Sequence, residues 1–234
     1  NSIAAFKLAE IEIVTAEDNT PPDRKLTRSI VAFNHQQFVV GQQAYNQLRA
    51  DPENVIFSIK RLMGRGFADS EVQEQRSRCS YRITKSTHST ENSLSVWLGE
   101  QEYQPEDISA QILTKVVQNT QTFQSQLGQT GEISEAVITI PAYFNDKQRH
   151  ATRIAAMRAG LNPRTLLPEP TAAAISYGFT PNESSDVKTI LVYDFGGGTF
   201  DVSLITASEN QFIELGKAGN LWLGGDDIDN VMIQ

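Results

Sequence analysis

Residues 189–206 read TILVYDFGGGTFDVSLIT. An apolar run ends at Asp194, three glycines and a threonine follow, and a second apolar run begins around Asp201. What comes after the glycines decides the fold. In a P-loop they lead through Lys-Ser/Thr into a helix, and no lysine follows here. In a dinucleotide fold the glycines open a helix. Here the next residues alternate instead, with Phe200, Val202 and Leu204 on one side and Asp201, Ser203 and Ile205 on the other. The pattern predicts strand 189–194, a turn Gly196-Gly197-Gly198-Thr199, and strand 200–206, which is a hairpin.

Glycines admit positive φ and carry no side chain, so a ligand can come close to the backbone. Successive N–H groups in such a turn form an anion nest, and Thr199 adds a hydroxyl. Asp194 and Asp201 would repel phosphate unless a hard cation lay between. Mg2+ keeps several waters and shares one or two carboxylates with phosphate oxygens. A flexible glycine tip is the plain alternative for the triplet alone. The paired acids and the following strand favour a phosphate and cation site.

Upstream of the hairpin, EAVITIP (135–141) is a nearly continuous apolar strand of the kind found in sheets covered on both faces. A helix follows, with a capping-box signal at Asn145 and Gln148 and a Gly160 stop. RTLLPEP is a short strand. PTAAAISYG is a short helix whose three alanines let another backbone approach. The stretch 105–128 is an amphipathic helix with Ile108, Ile112, Val116 and Phe123 near one face and Gly128 at its end. Residues 80–104 alternate and predict an antiparallel meander. Residues 42–67 read as helical material broken at Asp51-Pro52, SIVAF and QFVVG as a hairpin, and 3–14 as one or two strands.

The 234 residues fit one large domain or two small ones. A net charge of −8 argues against a general nucleic-acid binder. The single cysteine, Cys79, excludes an intrachain disulfide and suits a reducing compartment. One cysteine with His35, His88 and His150 makes no zinc pattern, and there is no G-x-S-x-G elbow. No signal peptide or membrane-length apolar run is visible. A cytoplasmic protein is expected. The first residue is not Met and the last lies in an apolar-periodic segment, so a piece of a longer chain is expected.

VYDFGGGTFDVSLI resembles the second phosphate hairpin of the seventy-kilodalton heat-shock, DnaK-like chaperones. SIKRLMGRGF (58–67), VITIPAYFNDKQRHAT (137–152), GLNPRTLLPEPTAAAISYG (160–178) and LGGDDID (223–229) match that family in order and spacing. The resemblance covers essentially the whole chain. It implies an α/β, actin-like (ribonuclease-H-like) ATPase fold, incomplete here: most of the first lobe and the start of the second. Residues 1–28 and 104–187 would be the inner part of the first lobe, 29–103 its outer subdomain, and 188–234 a partial inner subdomain of the second lobe.

The resemblance also implies roles. Lys60 would point at the γ-phosphate and attacking water, sound chemistry because phosphoryl transfer needs charge stabilisation. Its plain alternative is a snorkelling surface lysine. Glu169 would order water and metal, against simple stabilisation of a helix start. Asp194 and Asp201 resemble the cation-linked aspartates. Thr199 resembles a hydroxyl near the γ-phosphate. Gly196, Gly197 and Gly198 would bring backbone to the phosphates, and Gly224 and Gly225 resemble a second close approach. Asn1 is counted with the nucleotide-binding residues as a remnant of the first hairpin, which in the family reads roughly D-L-G-T-T-N-S. Pro141 and Arg149 resemble the relay to the peptide-binding domain, though Pro141 also simply ends a strand.

ATP or ADP with Mg2+, and K+ as a further candidate cation, are the implied cofactors. A J-domain co-chaperone, a nucleotide-exchange factor and unfolded peptide are the implied partners. No nucleic acid or membrane partner is expected. The chain departs from the pattern at its start and at Asn220 and Trp222, where typical members carry Asp and His. A divergent interaction module without ATP turnover is therefore a competing reading. An actin-like sugar kinase is a third, disfavoured by IPAYFND together with EPTAAAISYG.

Overall fold

The computed structural model describes residues 1–7, 10–16, 25–34, 37–88, 92–177, 187–208 and 211–233. His35 and the expected helix stop at Gly178 lie outside the described residues. Two compact units emerge: Asn1–Ala136 with His150–Asn162, and Val137–Arg149 with Pro163–Gln234.

In the first unit, β1 (Ala5–Lys7) and β2 (Ile11–Ile13) pair antiparallel, as the two-strand reading of 3–14 expects. The hairpin of β3 (Val31–Asn34) and β4 (Gln37–Val40) also forms. Residues 42–67 depart from the helical reading. Only α1 (Gln42–Gln47) is α-helical; β5 (Val55–Ile56) pairs with β3, and Ile59–Arg61 is a single 3-10 turn. Val55 and Ile56 are β-branched and fully buried, and Val55 packs with Ala32 and Ala44. Burial beside β3 overrides the local helical pattern.

Helix α2 (Ser70–Arg78) has a single buried apolar residue, Val72, and so left no stripe to read. The meander forms as β6 (Ile83–Lys85), β7 (Leu94–Leu98) and β8 (Gln101–Tyr103). Within it, burial pushes the Glu102 carboxyl up, but hydrogen bonds, led by those from Thr87, outweigh that and hold it down to about 2. The Thr87 N–H lies 2.8 Å from Oε1, and its hydroxyl donates to Oε2. A depressed folded-state pKa contributes stability that is complete above the usual value of 4.5 and lost as pH falls through about 2. Glu102→Gln is therefore expected to lower the urea midpoint at about pH 6 and to converge with wild type near about pH 2.

Helix α3 (Pro105–Gln126) begins in a Gln104–Asp107 capping box and ends before Gly128 at φ +71. Ile108 and Ile112 are buried, and Phe123 meets Phe6 edge-on at 6.0 Å. Arg158, in the last turn of α4 (Asp146–Arg158), donates to Asp107 at 2.7 Å and Gln104 at 2.9 Å. Met63 packs with Ala151 and Ala155 of the same helix.

In the second unit, β9 (Glu135–Ile140) pairs with β10 (Asn162–Pro168). The expectation of a strand covered on both faces fails: Val137 is 57% exposed, while Ile138 and Ile140 pack with Phe144 and Leu166. Among the described residues β9 has one strand partner, and side-chain alternation leaves its other face open. The Asn145–Gln148 capping box forms in both directions, at 3.0 and 3.1 Å. Helix α5 (Glu169–Ser176) packs on β11 (Lys188–Phe195) and β12 (Phe200–Ser208). A third strand, β13 (Gln211–Asn220), joins β12, and α6 (Gly225–Ile233) follows. Among the described residues no helix is long and apolar enough to cross a membrane.

Candidate functional site

The opening stretch forms the expected hairpin, with β11 and β12 antiparallel. Register places Asp194 directly opposite Asp201, next to the closing pair Phe195–Phe200. The alternation also holds. The face bearing Asp201, Ser203, Ile205 and Ala207 is the buried one, and Leu191, Tyr193 and Leu204 on the other are exposed. Two carboxylates thus share one face. Like charges directly opposite across a strand pair are destabilising, so the pair suits a hard cation. Among the described residues no group of three or more His, Cys, Asp or Glu side chains gathers for a metal. Two carboxylates satisfy an ion that keeps most of its waters.

Gly196 N–H donates to the Thr199 carbonyl at 2.9 Å and closes the turn. Positive φ is not what the triplet supplies: the positive-φ glycines among the described residues are Gly41, Gly64, Gly99, Gly128 and Gly160. The need is space. A Cβ on Gly224 would lie 2.3 Å from the Gly197 oxygen and 2.6 Å from the Gly198 nitrogen. Gly225 N–H donates to Gly196 O at 3.0 Å, and Asp226 N–H to Gly197 O at 2.8 Å. Backbone hydrogen bonds thus clasp the hairpin tip to the start of α6. Asp227 accepts the Gly224 N–H at 2.8 Å, capping that helix. Gly196, Gly197, Gly198, Thr199, Gly224 and Gly225 are one cluster beside the carboxylate pair.

The remaining candidates are placed separately. Glu169 opens α5, half-buried, between Pro168 and Pro170. Pro141 is buried, and its carbonyl accepts the Phe144 N–H at 3.2 Å; Arg149 Nε donates to the Phe144 carbonyl at 3.1 Å. Both predicted relay residues thus serve one turn. In the first unit, Lys60 is exposed on its 3-10 turn, two residues after Ser58, a non-glycine residue at φ +54. Asn1 is exposed beside Ser2, which exchanges backbone hydrogen bonds with Thr27. A groove of about 720 Å³ between α5 and β11 is lined by Ala173, Ala174, Tyr177 and residues 188–193, and none of the candidates lines it.

Two residues escaped sequence reasoning, Gly219 and Lys217, and a third, Asn220, was read only as a departure. Gly219 lies opposite Asp201, and a Cβ there would sit 2.4 Å from the Phe200 oxygen and 3.2 Å from the Tyr143 ring. Lys217 donates to the Ala142 carbonyl at 2.9 Å. Asn220 accepts the Trp222 N–H at 2.8 Å. An aspartate would make the same turn, so the departure at Asn220 preserves the local backbone. Gly219 and Lys217 had no signal, because β13 carries two glycines and a lysine and reads poorly as a strand.

A glycine hairpin clasped by a second glycine pair, with opposed carboxylates behind it, is an arrangement suited to phosphate and a hard cation. A family model described as "Hsp70 protein" matches residues 1–234. The chain is 39% identical over 231 residues to heat shock 70 kDa protein 2 of Paracoccidioides lutzii, covering 99% of this chain and 34% of that protein. It is 39% identical to a heat shock 70 kDa protein of Ajellomyces capsulatus, over 99% of this chain and 31% of that one. Against the Emericella nidulans protein the identity is 37%, with 99% and 34% covered. The chain belongs to the Hsp70 family, and its fold is that family's actin-like ATPase fold. It spans about a third of the length of these curated relatives.

Proposed function

We propose that the natural protein carrying this chain binds ATP and ADP with Mg2+ and hydrolyses the γ-phosphate by attack of water, as a molecular chaperone. The observation that carries this reading is the clasped glycine hairpin with Asp194 opposite Asp201. Gly197 and Gly198 offer backbone N–H groups and Thr199 a hydroxyl to phosphate oxygens. Gly196, Gly224, Gly225 and Asn1 complete the nucleotide-binding set. Asp194 and Asp201 would hold Mg2+, which neutralises phosphate charge when bound; K+ is a further candidate. Glu169 orients water. Lys60 stabilises the charge that develops on the transferring group.

The lobe boundaries follow the same reading: 1–28 with 104–187, 29–103, and 188–234. Pro141 and Arg149 relay nucleotide state to a peptide-binding domain. A J-domain co-chaperone, an exchange factor and unfolded peptide are the proposed partners, and the cytoplasm the proposed compartment.

The test is single-turnover ATP hydrolysis by the full natural chain. Lys60→Ala is expected to lower the rate by about 100-fold or more, the usual effect of losing one preorganised charge-stabilising group. ADP affinity should change little, since the lysine acts on the γ-phosphate. An unchanged rate would remove Lys60 from the site.

A further inference from the structure

We propose that Lys217 is a positioning residue that fixes the Pro141–Arg149 turn onto the sheet face carrying the two carboxylates. The proposal rests on the nucleotide reading above. Register puts Lys217 opposite Ser203, and Gly219 opposite Asp201. Both β13 residues therefore lie on the same face as Asp194 and Asp201.

Three contacts join this face to the turn. The Lys217 ammonium donates to the Ala142 carbonyl at 2.9 Å and sits 5.4 Å from the centre of the Tyr143 ring. Tyr143 also packs against Gly219, where a Cβ would come within 3.2 Å of the ring. Ala142 is buried, so its carbonyl depends on a protein partner for its hydrogen bond. An ammonium makes that bond charge-assisted. None of the three contacts draws on the residues assigned to nucleotide.

A strand irregularity builds the arrangement. Leu204 faces Gly216, but Ile205 faces Glu214, so one extra residue bulges from β13. In a regular strand, positions three apart point to opposite faces. The bulge turns Glu214 onto the face of Lys217, and their charges meet at 2.9 Å. Glu214 aims the ammonium, and the ammonium holds the turn. A shift of β12 and β13 at the hairpin would thereby reach the segment that carries Pro141 and Arg149.

The experiment is amide hydrogen exchange on the full natural chain with and without MgADP. In wild type, MgADP is expected to slow exchange at both 195–201 and 142–149. Lys217→Met should keep the effect at 195–201 and shrink the effect at 142–149 by about fivefold or more. Lys217→Arg, which retains the charge and donors, should restore it. A lysine with a purely structural role would alter exchange equally with and without nucleotide, leaving the MgADP difference at 142–149 intact, and that result would overturn the proposal. So would a wild-type response at 195–201 alone, with the nucleotide reading still standing. No response at either segment would remove both. Should Lys217→Met fail to fold, Lys217→Gln is read by the same outcomes.

Discussion

Gly224→Ala is expected to destabilise the second unit by about 1–3 kcal/mol, the usual cost of forcing an extra carbon into a packed site. MgADP affinity should fall by about tenfold or more, equivalent to ~1.4 kcal/mol. The added Cβ would lie 2.3, 2.5 and 2.6 Å from atoms of Gly197 and Gly198. All three are backbone atoms of the glycine hairpin and cannot rotate away. Either the hairpin or the start of α6 must move, and the Gly196 and Gly197 carbonyl bonds to α6 go with it. Gly225→Ala is the control. Its Cβ would be 3.7 Å from Gly197 Cα, an ordinary contact, and the variant should keep near-wild-type stability. Urea unfolding and calorimetry read both effects. Equal behaviour of the two variants would contradict the clasp.

Asp201→Asn carries the second large effect. Asp194 and Asp201 face each other on one side of the hairpin, and Asp201 is only 3% exposed. On the proposed reading a cation would relieve their mutual repulsion, and its affinity would depend on both charges. The variant is expected to bind MgADP at least about tenfold more weakly. Its affinity for ADP in EDTA should be unchanged. Asp194→Asn should behave alike. A loss that is the same with and without Mg2+ would mean the carboxylate serves the fold instead of the cation.

Much of this architecture could be read from particular residues. The hairpin was legible because β-rich alternation follows the glycines and no lysine does. Helices α3 and α4 were legible because periodic apolar residues lie between real stops, Gly128 at φ +71 and Gly160 at φ +80. Strand β5 was not legible: two residues inside a helix-like run are claimed by burial against β3. The exposed side of β9 was hidden because an apolar run says nothing about which of its faces is covered. At the site, residue types pointed to Asp194, Asp201 and both glycine clusters. The reason for Gly224 lies in the fold, since a clash with Gly197 and Gly198, far upstream in the chain, leaves no local trace. Lys217 was invisible for a related reason: its role depends on a bulge that re-aims Glu214, and an irregularity of one residue has no periodic signature.

The most direct test of the central claim is a calorimetric titration of MgADP into the full natural chain, repeated in EDTA. The account predicts a single saturable site in Mg2+ that weakens sharply without it. A folded protein that releases no heat with MgADP or MgATP would contradict the account, and would leave a divergent Hsp70-family interaction module that keeps the clasped hairpin without using it for nucleotide.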